Sequence, residues 1–369
     1  MTVAPLSITV QVSPDGGVKA QNWRSGTGKQ SQQRVELNGL DGRVLRVFER
    51  WLMEHDRAWD REDIRVFGQL LHRQLFSSDL WSWIEQQIER RGTNLVRLQL
   101  AFPADAASSR LAALPWEFLC APNRQREDGP FLVLMPGVLL SRTVPGPERA
   151  AVTMDTVRIL PVVGDADSDW LGTVDYEPAL EAIATAGERP DFDILDPAIE
   201  VTPTELTDKV RATRPHVVHY IGHGRFDGET GRGSLALSAA EGGTTWIDED
   251  DLADALRPDD WTPTVVVLHA CEGGRNDYQY RHAGLAPSLV RQGIQSVVAM
   301  QYPVTNETAN EFSTALYEAL ADRQYLDEAV QTARQHIWKA TKDARLLGVP
   351  MIYQRDAAPL LGKPAKKEP

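Results

Sequence analysis

The chain has 369 residues, of which 42% are hydrophobic and 25% are charged, and its formal net charge is −13. This composition is typical of a globular protein, and the length predicts about two domains. The negative charge argues against a non-specific nucleic-acid surface, which requires clustered Lys and Arg residues. The first ten residues lack the pattern of a signal peptide, and no apolar run reaches the ~18 residues of a membrane span. We therefore expect a cytoplasmic protein that contacts neither membranes nor nucleic acid directly.

Residues 1–150 are predicted to form an α+β N-terminal region. Alternating apolar positions predict a strand over Leu6–Val12 and further strands on either side of a Ser-Gly-Thr-Gly turn at Ser25–Gly28. Apolar residues at helical spacing then predict three helices, and Ser77 or Ser78 is the expected N-cap of the third. The predicted helices and the two strands that follow them cover residues 44–52, 64–75, 80–88, 95–100 and 138–142.

The motif Leu114-Pro115-Trp116-Glu117 lies in this region, and we interpret it as a packing element. A carboxylate among apolar neighbours is tolerated only when it is paired. Glu117 is therefore expected to be buried only if a positive group faces it. Gly and Pro residues at Val144–Pro147 predict a linker and a domain boundary near residue 150.

Residues 151–345 alternate between predicted strands and helices. This order predicts an α/β domain with a mostly parallel central sheet. Thr202 and Asp248 are expected to cap helices that begin with Pro203 and with the acidic run Asp248–Asp251. The strands are predicted at 156–163, within 192–201, and at 216–221, 234–238, 264–270 and 295–301. The helices are predicted at 177–186, from 203 onward, and at 248–256, 284–292, 306–321 and 326–341. Residues 346–369 are assigned to a C-terminal tail.

Two of the predicted strands end at residues that can perform chemistry. One ends in His219-Tyr-Ile-Gly-His223-Gly224, and the other ends in Leu268-His-Ala-Cys271. The carboxyl ends of parallel strands meet at one edge of a sheet, where ligands bind. Cys with His supports nucleophilic acyl transfer, and the separation of 48 residues is close to the roughly 50 of caspases. We predict Cys271 as nucleophile, His223 as acid/base, and the backbone N–H groups of Gly224 and Cys271 as oxyanion hole.

The remaining histidines near these motifs are interpreted differently. His216 is out of strand phase with His219 and His223, and no further ligands complete a zinc site, so neither a metal nor a cofactor is predicted. His219 is expected to be a packed strand residue with a local hydrogen bond. His269 shares a strand face with Cys271, and both a cleft-lining role and a core role are open to it.

The other cysteine, Cys120, lies far along the chain from these strand ends and is expected to be inert. With only two cysteines in the chain, a disulfide scaffold is not expected, and a reduced thiol can serve as a catalyst.

Four blocks resemble the CHAT family of caspase-like, separase-related cysteine peptidases, in the order that the family has them. They are Leu114–Glu117, His219–Gly224, Leu268–Cys271, and Ser296–Val304 with the helix that begins at Asn306. The resemblance implies a caspase-like sandwich for residues 151–345 and a Cys–His dyad at Cys271 and His223. His269 departs from the Ser of many members, and Gln301 departs from their bulky apolar residue.

The residue preference of such a peptidase depends on charges near the motifs. The resemblance implies a charged residue before the cleaved bond, basic for separase-like and acidic for caspase-like enzymes. Asp227, Glu272 and Asp277 are candidate pocket residues that would select a basic side chain, whereas Arg225 and Arg275 would select an acidic one. His269 is a further candidate pocket residue, but as a neutral or titrating group it does not decide the preference. The negative net charge favours the basic alternative.

The leading hypothesis is a cysteine endopeptidase that cleaves a protein partner. The resemblance further implies control by a separate regulatory or sensor protein and a role in bacterial defence, including antiviral defence, or cell death. Two alternatives stay open: a catalytically silent scaffold with the same fold, and a small-molecule hydrolase that uses the same dyad.

Overall fold

The structure is a computed structural model of the chain. It describes residues 5–22, 25–36, 40–52, 60–92, 94–102, 111–122, 129–144, 153–165, 167–168, 172–227, 232–270, 285–302, 304–322, 325–355 and 360–361.

The chain forms two compact units. The first comprises Met1–Pro145 with Trp338–Met351, and the second comprises Gly146–Ile337 with Ile352–Pro369. The predicted domain ranges remain predictions, because compact packing is not a test of independent folding.

The first unit contains a mixed sheet. Its strands are ordered β5-β4-β1-β2-β3, with β4 parallel to both β5 and β1 and the other pairs antiparallel. The predicted hairpin is present, but Thr27 and Gly28 of the predicted turn belong to β3, so the second strand begins earlier than the expected Gln33–Leu37. The strands are β1 (Leu6–Val12), β2 (Gly17–Asn22), β3 (Thr27–Arg34), β4 (Val96–Ala101) and β5 (Val138–Thr143).

Three helices follow β3, as the apolar spacing predicts. They are α1 (Leu40–Leu52), α2 (Arg61–Leu75) and α3 (Ser78–Arg90). Phe67 of α2 stacks on Phe48 of α1 and meets the edge of Phe118, so aromatic packing joins these helices to the segment that follows β4. Ser77 occupies the N-cap position of α3, but its hydroxyl bonds to Asp79 rather than to a backbone N–H. This unit also contains three short 3₁₀ turns, at Trp116–Phe118, Leu132–Leu134 and Ala344–Leu347.

A buried ion pair explains the Leu-Pro-Trp-Glu motif. Glu117 accepts hydrogen bonds from Nε (2.9 Å) and Nη2 (2.5 Å) of Arg142, and both side chains are at most 2% exposed. Arg142 also donates to the carbonyl of Ala112, and the indole of Trp116 donates to Leu111. The expectation that Glu117 is buried only with a partner is confirmed.

The second unit is built on a parallel sheet. Its strands are ordered β10-β6-β11-β15-β16, with β9 also paired to β6, and all of these pairs are parallel. The predicted α/β class with a mostly parallel central sheet is confirmed. The strands are β6 (Val157–Val163), β9 (Phe192–Ile194), β10 (Ala198–Ile199), β11 (Val217–Gly222), β15 (Val265–Ala270) and β16 (Ser296–Met300).

Helix starts in this unit follow the capping residues of the sequence. Thr202 and Glu205 form a reciprocal capping box, and the carboxylate of Asp248 accepts from the backbone of Asp250 and Asp251. The acidic run is therefore a helix start, as predicted. The helices are α4 (Glu177–Ala186), α5 (Pro203–Thr213), α6 (Glu249–Leu256), α7 (Leu285–Gln292), α8 (Asn306–Ala321) and α9 (Leu326–Thr341), the last of which ends in the first unit.

A small antiparallel sheet follows directly after β11. It consists of β12 (Gly224–Asp227), β13 (Arg232–Ser238) and β14 (Thr244–Asp248). Only β13 is predicted from the sequence, because β12 and β14 are short and lack a clean apolar alternation. A separate two-residue pair joins β7 (Asp167–Ser168) to β8 (Gly172–Thr173).

The last strand, β17 (Pro350–Gln354), has only buried residues. It lies within the range 346–369 that the sequence assigns to a tail, and its five residues are too few for the alternation to distinguish it from a loop. Among the helices that the structure describes, none combines the length and the apolarity needed to cross a membrane.

Candidate active site

The register of β11 and β15 aligns the two sequence motifs. Ile221 pairs with His269, and Gly222 pairs with Ala270, in the parallel ladder. His223 follows directly on Gly222, and its side chain is 1% exposed. The carboxyl ends of these two strands therefore lie level with each other at one edge of the sheet. The structure describes β15 up to Ala270, and the predicted nucleophile Cys271 lies outside the described residues, together with Glu272, Arg275 and Asp277.

The backbone of His223 is anchored on both sides of the strand end. Its carbonyl accepts a hydrogen bond from the hydroxyl of Tyr220 (2.8 Å) and another from the backbone N–H of Ala236 on β13 (3.0 Å). The carbonyl of Ala236 also lies 2.8 Å from the Tyr220 hydroxyl. Tyr220 is 3% exposed, so these bonds form away from water, where an unmade bond costs most.

Two glycines make room for the Tyr220 ring. A Cβ on Gly222 would lie 2.5 Å from the Tyr220 hydroxyl oxygen and 2.8 Å from Cζ, and a Cβ on Gly164 would lie 2.6 Å from the same oxygen. Any larger residue at either position would displace the ring. Gly222 therefore leaves the space that the Tyr220 ring occupies, and the Tyr220 hydroxyl in turn holds the carbonyl of His223.

Beneath the strand ends, two buried histidines face α8. His219 and His269 lie on the same face of the sheet, with ring centroids 5.6 Å apart. Nδ1 of His219 is 2.8 Å from the hydroxyl of Tyr317, and Nδ1 of His269 is 3.4 Å from the hydroxyl of Ser313. The expectation of a local hydrogen bond for His219 is wrong, since its partner lies on α8. The side chain of His219 faces α8, so it meets Tyr317 although the two residues are 98 positions apart in the chain.

Burial keeps both of these imidazoles neutral. Desolvation lowers the pKa of His269 to about 4, and desolvation followed by the neighbouring His269 holds the pKa of His219 well below its usual range. Desolvation also raises the pKa of Tyr317. His269 is 1% exposed and contacts Ser313 of α8, as a core residue does. Its assignment to a substrate pocket stays a prediction.

His216 lies at the opposite, amino end of β11. Its Nδ1 accepts from the backbone N–H of Arg158 at 3.0 Å, and its ring packs against Trp261. Desolvation, and to a smaller extent the charge of Arg158, lowers its pKa. This arrangement matches the structural role that the sequence predicts.

Cys120 belongs to the first unit and is fully buried. Its thiol lies 3.2 Å from the carbonyl of Gly129, and desolvation raises its pKa to about 11. It is therefore a protonated thiol at neutral pH, which is unreactive toward electrophiles.

The small antiparallel sheet carries charged and aromatic side chains beyond His223. Gly224 begins β12 and pairs with Leu235, whereas Arg225 pairs with Ser234 and places its guanidinium carbon 4.4 Å from the centre of the Trp246 ring. The backbone of Asp227 belongs to β12, and its side chain lies outside the described residues. The oxyanion-hole and pocket assignments of Gly224 and Asp227 stay predictions.

Tyr220, Gly164 and Trp246 are not singled out by the sequence. Tyr220 lies in a mostly apolar strand, and its sequence context predicts a core residue. The position of its ring depends on the space left by Gly164 and Gly222. Gly164 and Trp246 lie far from His223 along the chain, so only the sheet register brings them near.

Comparison with protein families gives one match. The model of the CHAT domain matches residues 67–360, which is most of the chain. Among curated proteins, no match was found.

Comparison with solved structures gives distant similarities. An Arg-specific cysteine proteinase, gingipain R, is 11% identical with a TM-score of 0.46, over 80% of this chain and 70% of that one. Separase from Saccharomyces cerevisiae, in complex with securin, is 11% identical with a TM-score of 0.45, over 94% of this chain and 30% of that one. Caspase-1 from Spodoptera frugiperda is 14% identical with a TM-score of 0.35, over 56% of this chain and 89% of that one.

Proposed function

The chain belongs to the CHAT domain family, and from this premise we propose that it is a cysteine endopeptidase with a Cys271–His223 dyad. The observation that carries the proposal is the register of β11 and β15, in which Gly222 pairs with Ala270. His223 and Cys271 are the next residues along the chain after these two strands. Because each directly follows one member of a registered pair, the sequence and the register together support a thiol–imidazole pair at this edge of the sheet.

The chemistry assigns one task to each group. The imidazole of His223 takes the proton of the Cys271 thiol, and the thiolate attacks the carbonyl carbon of a peptide bond. The tetrahedral oxyanion accepts hydrogen bonds from the N–H groups of Gly224 and Cys271. The C–N bond then breaks as the imidazolium protonates the departing amine. Water hydrolyses the remaining thioester, which returns the thiol and releases the carboxylic acid.

The anchoring of His223 supports this assignment. An acid/base group must be held within hydrogen-bond reach of its partner, and small displacements cost large factors in rate. Tyr220 and Ala236 fix the carbonyl of His223 from two directions.

We further propose that the substrate is a protein partner, that cleavage occurs in the cytoplasm, and that a separate regulatory or sensor protein switches it on. The motivation is that an unregulated endopeptidase would be harmful to its own cell. Its role in a bacterial defence or cell-death pathway is part of the same proposal. Co-expression with the proteins encoded beside it, followed by fragment analysis, tests this part.

The test of the enzymatic proposal is fragment formation from a protein partner or a proteome-derived peptide library. The wild type, Cys271→Ala and His223→Ala are compared, with Cys120→Ala as the matched control. Cleavage is expected for the wild type and the control alone. Cleavage by Cys271→Ala at the wild-type rate would remove the assignment.

A further inference from the structure

Arg225 is held over an aromatic ring beside the proposed dyad. Its guanidinium carbon lies 4.4 Å from the centre of the Trp246 ring, which is within the range of a cation–π contact. In the register, Arg225 lies opposite Ser234, and Trp246 lies opposite Ala236. Ser234 and Ala236 belong to the same face of β13, and both are small, so the arginine reaches across β13 to the indole.

This arginine is exposed and keeps its hydrogen-bonding edge available. Among the side chains that the structure describes, none places a carboxylate within ion-pair distance of Arg225. The nearby Asp248, on the same face, already caps α6 and pairs with Arg232 at 3.1 Å. A guanidinium has five N–H donors in a planar fork that matches a carboxylate. Stacking on Trp246 restricts the long side chain and so reduces the entropy lost when a carboxylate binds.

Arg225 lies close in the chain to His223, the proposed acid/base. It follows His223 by two residues, a distance of about 7 Å along an extended chain. A substrate segment at the dyad would run with a similar rise of about 3.3 Å per residue, so side chains adjacent to the cleaved bond come within reach of the guanidinium.

We infer that Arg225, supported by Trp246, recognises an acidic side chain of the substrate close to the cleaved bond. This inference rests on the proposed function and deepens it by naming the substrate class. It differs from the basic preference expected from the sequence. That expectation was based on Asp227, Glu272 and Asp277, whose side chains lie outside the described residues, whereas the inference is based on the described contact of Arg225 with Trp246.

The first experiment measures sequence preference with a proteome-derived peptide library, read by mass spectrometry at every position on both sides of the cleaved bond. The wild type is expected to favour Asp or Glu over Gln about tenfold at one position, the size of one charge-assisted hydrogen-bonded pair. Arg225→Gln should lose this preference and still cleave neutral peptides. Arg214→Gln is the matched control, because Arg214 is also exposed, lies 5.9 Å from the Trp261 ring, and sits at the amino end of β11. An acidic preference that persists in Arg225→Gln, or a wild type without one, would overturn the inference.

The second experiment needs no cleavage. Two fluorescein-labelled Gly-Ser peptides, with a central Glu-Glu or Gln-Gln pair, are titrated into the Cys271→Ala chain and followed by anisotropy. The Glu peptide is expected to bind about tenfold more tightly, and introducing Arg225→Gln should abolish the difference while Arg214→Gln leaves it intact. Equal binding of the two peptides would refute the recognition. If the wild type cleaves nothing and the Glu peptide still depends on Arg225, the proposed function fails and Arg225 is an acidic-peptide binding residue without a cleavage role.

Discussion

The buried pair His219 and His269 predicts a specific loss of stability at low pH. Desolvation lowers the pKa of His269 from 6.5 to about 4. In the unfolded chain the same imidazole titrates at about 6.5. As the pH falls through 6.5, His269 binds a proton in the unfolded state, whereas in the folded state it binds one only near pH 4. The stability contributed by the neutral imidazole is therefore fully present at neutral pH and is lost between these two values.

The magnitude follows from the two pKa values. At pH 5 the unfolded state gains about 2 kcal/mol from protonating this one residue, relative to pH 7.5. Replacing His269 with Asn keeps a polar group beside Ser313 and removes the titration. Urea denaturation at both pH values should show that His269→Asn loses about 2 kcal/mol less between pH 7.5 and pH 5 than the wild type.

The matched control is His336→Asn, since His336 lies on α9 and is exposed. This control should follow the wild type. His219 remains in all three proteins and adds to the loss in the same direction, so the comparison reports His269 together with its effect on the pKa of His219. If His269→Asn and the wild type lost equal free energy between the two pH values, the burial argument for this cluster would be wrong.

Three further predictions concern the supports of the site and of the first unit. Tyr220→Phe removes the hydroxyl that holds the carbonyl of His223, and kcat/KM for peptide cleavage should fall about tenfold or more while the fold, measured by circular dichroism, is retained. Gly222→Ala places a Cβ 2.5 Å from the Tyr220 hydroxyl, so its activity should fall at least as far as that of Tyr220→Phe, and wild-type activity would contradict the role given to the ring. Glu117→Gln leaves the charge of Arg142 buried without a counter-ion, which should reduce the free energy of unfolding by about 3 kcal/mol; a urea midpoint within error of the wild type would show that the pair is not needed.

Much of the second unit can be predicted from its sequence because its local patterns agree with the fold. Thr202-Pro203 and Asp248 mark helix starts by capping chemistry, which depends only on neighbouring residues. Strands such as β11 and β15 are mostly apolar, as is typical of buried parallel strands. The class and the alignment of His223 with the end of β15 follow from these elements and their order.

The remainder depends on contacts between distant residues. The partner of His219 is Tyr317, and the space for Tyr220 is provided by Gly164, so neither could be inferred from local spacing. Arg225 is the clearest example: the sequence places it near the motif, but only the register across β13 shows that it reaches Trp246. The basic preference expected from the net charge takes no account of the contact between Arg225 and Trp246, because net charge does not say which side chains share a face.

The central claim is that His223 activates Cys271, and the pH dependence of thiol alkylation tests it most directly. The wild type and His223→Ala are treated with iodoacetamide from pH 5 to pH 9, and mass spectrometry follows the peptide that contains Cys271, since the buried Cys120 thiol, with its raised pKa, stays unmodified. We predict that Cys271 of the wild type reacts well below the pKa of about 8.5 of an ordinary thiol, and that His223→Ala shifts the reaction back toward that value. Identical pH profiles for the two proteins would contradict the dyad.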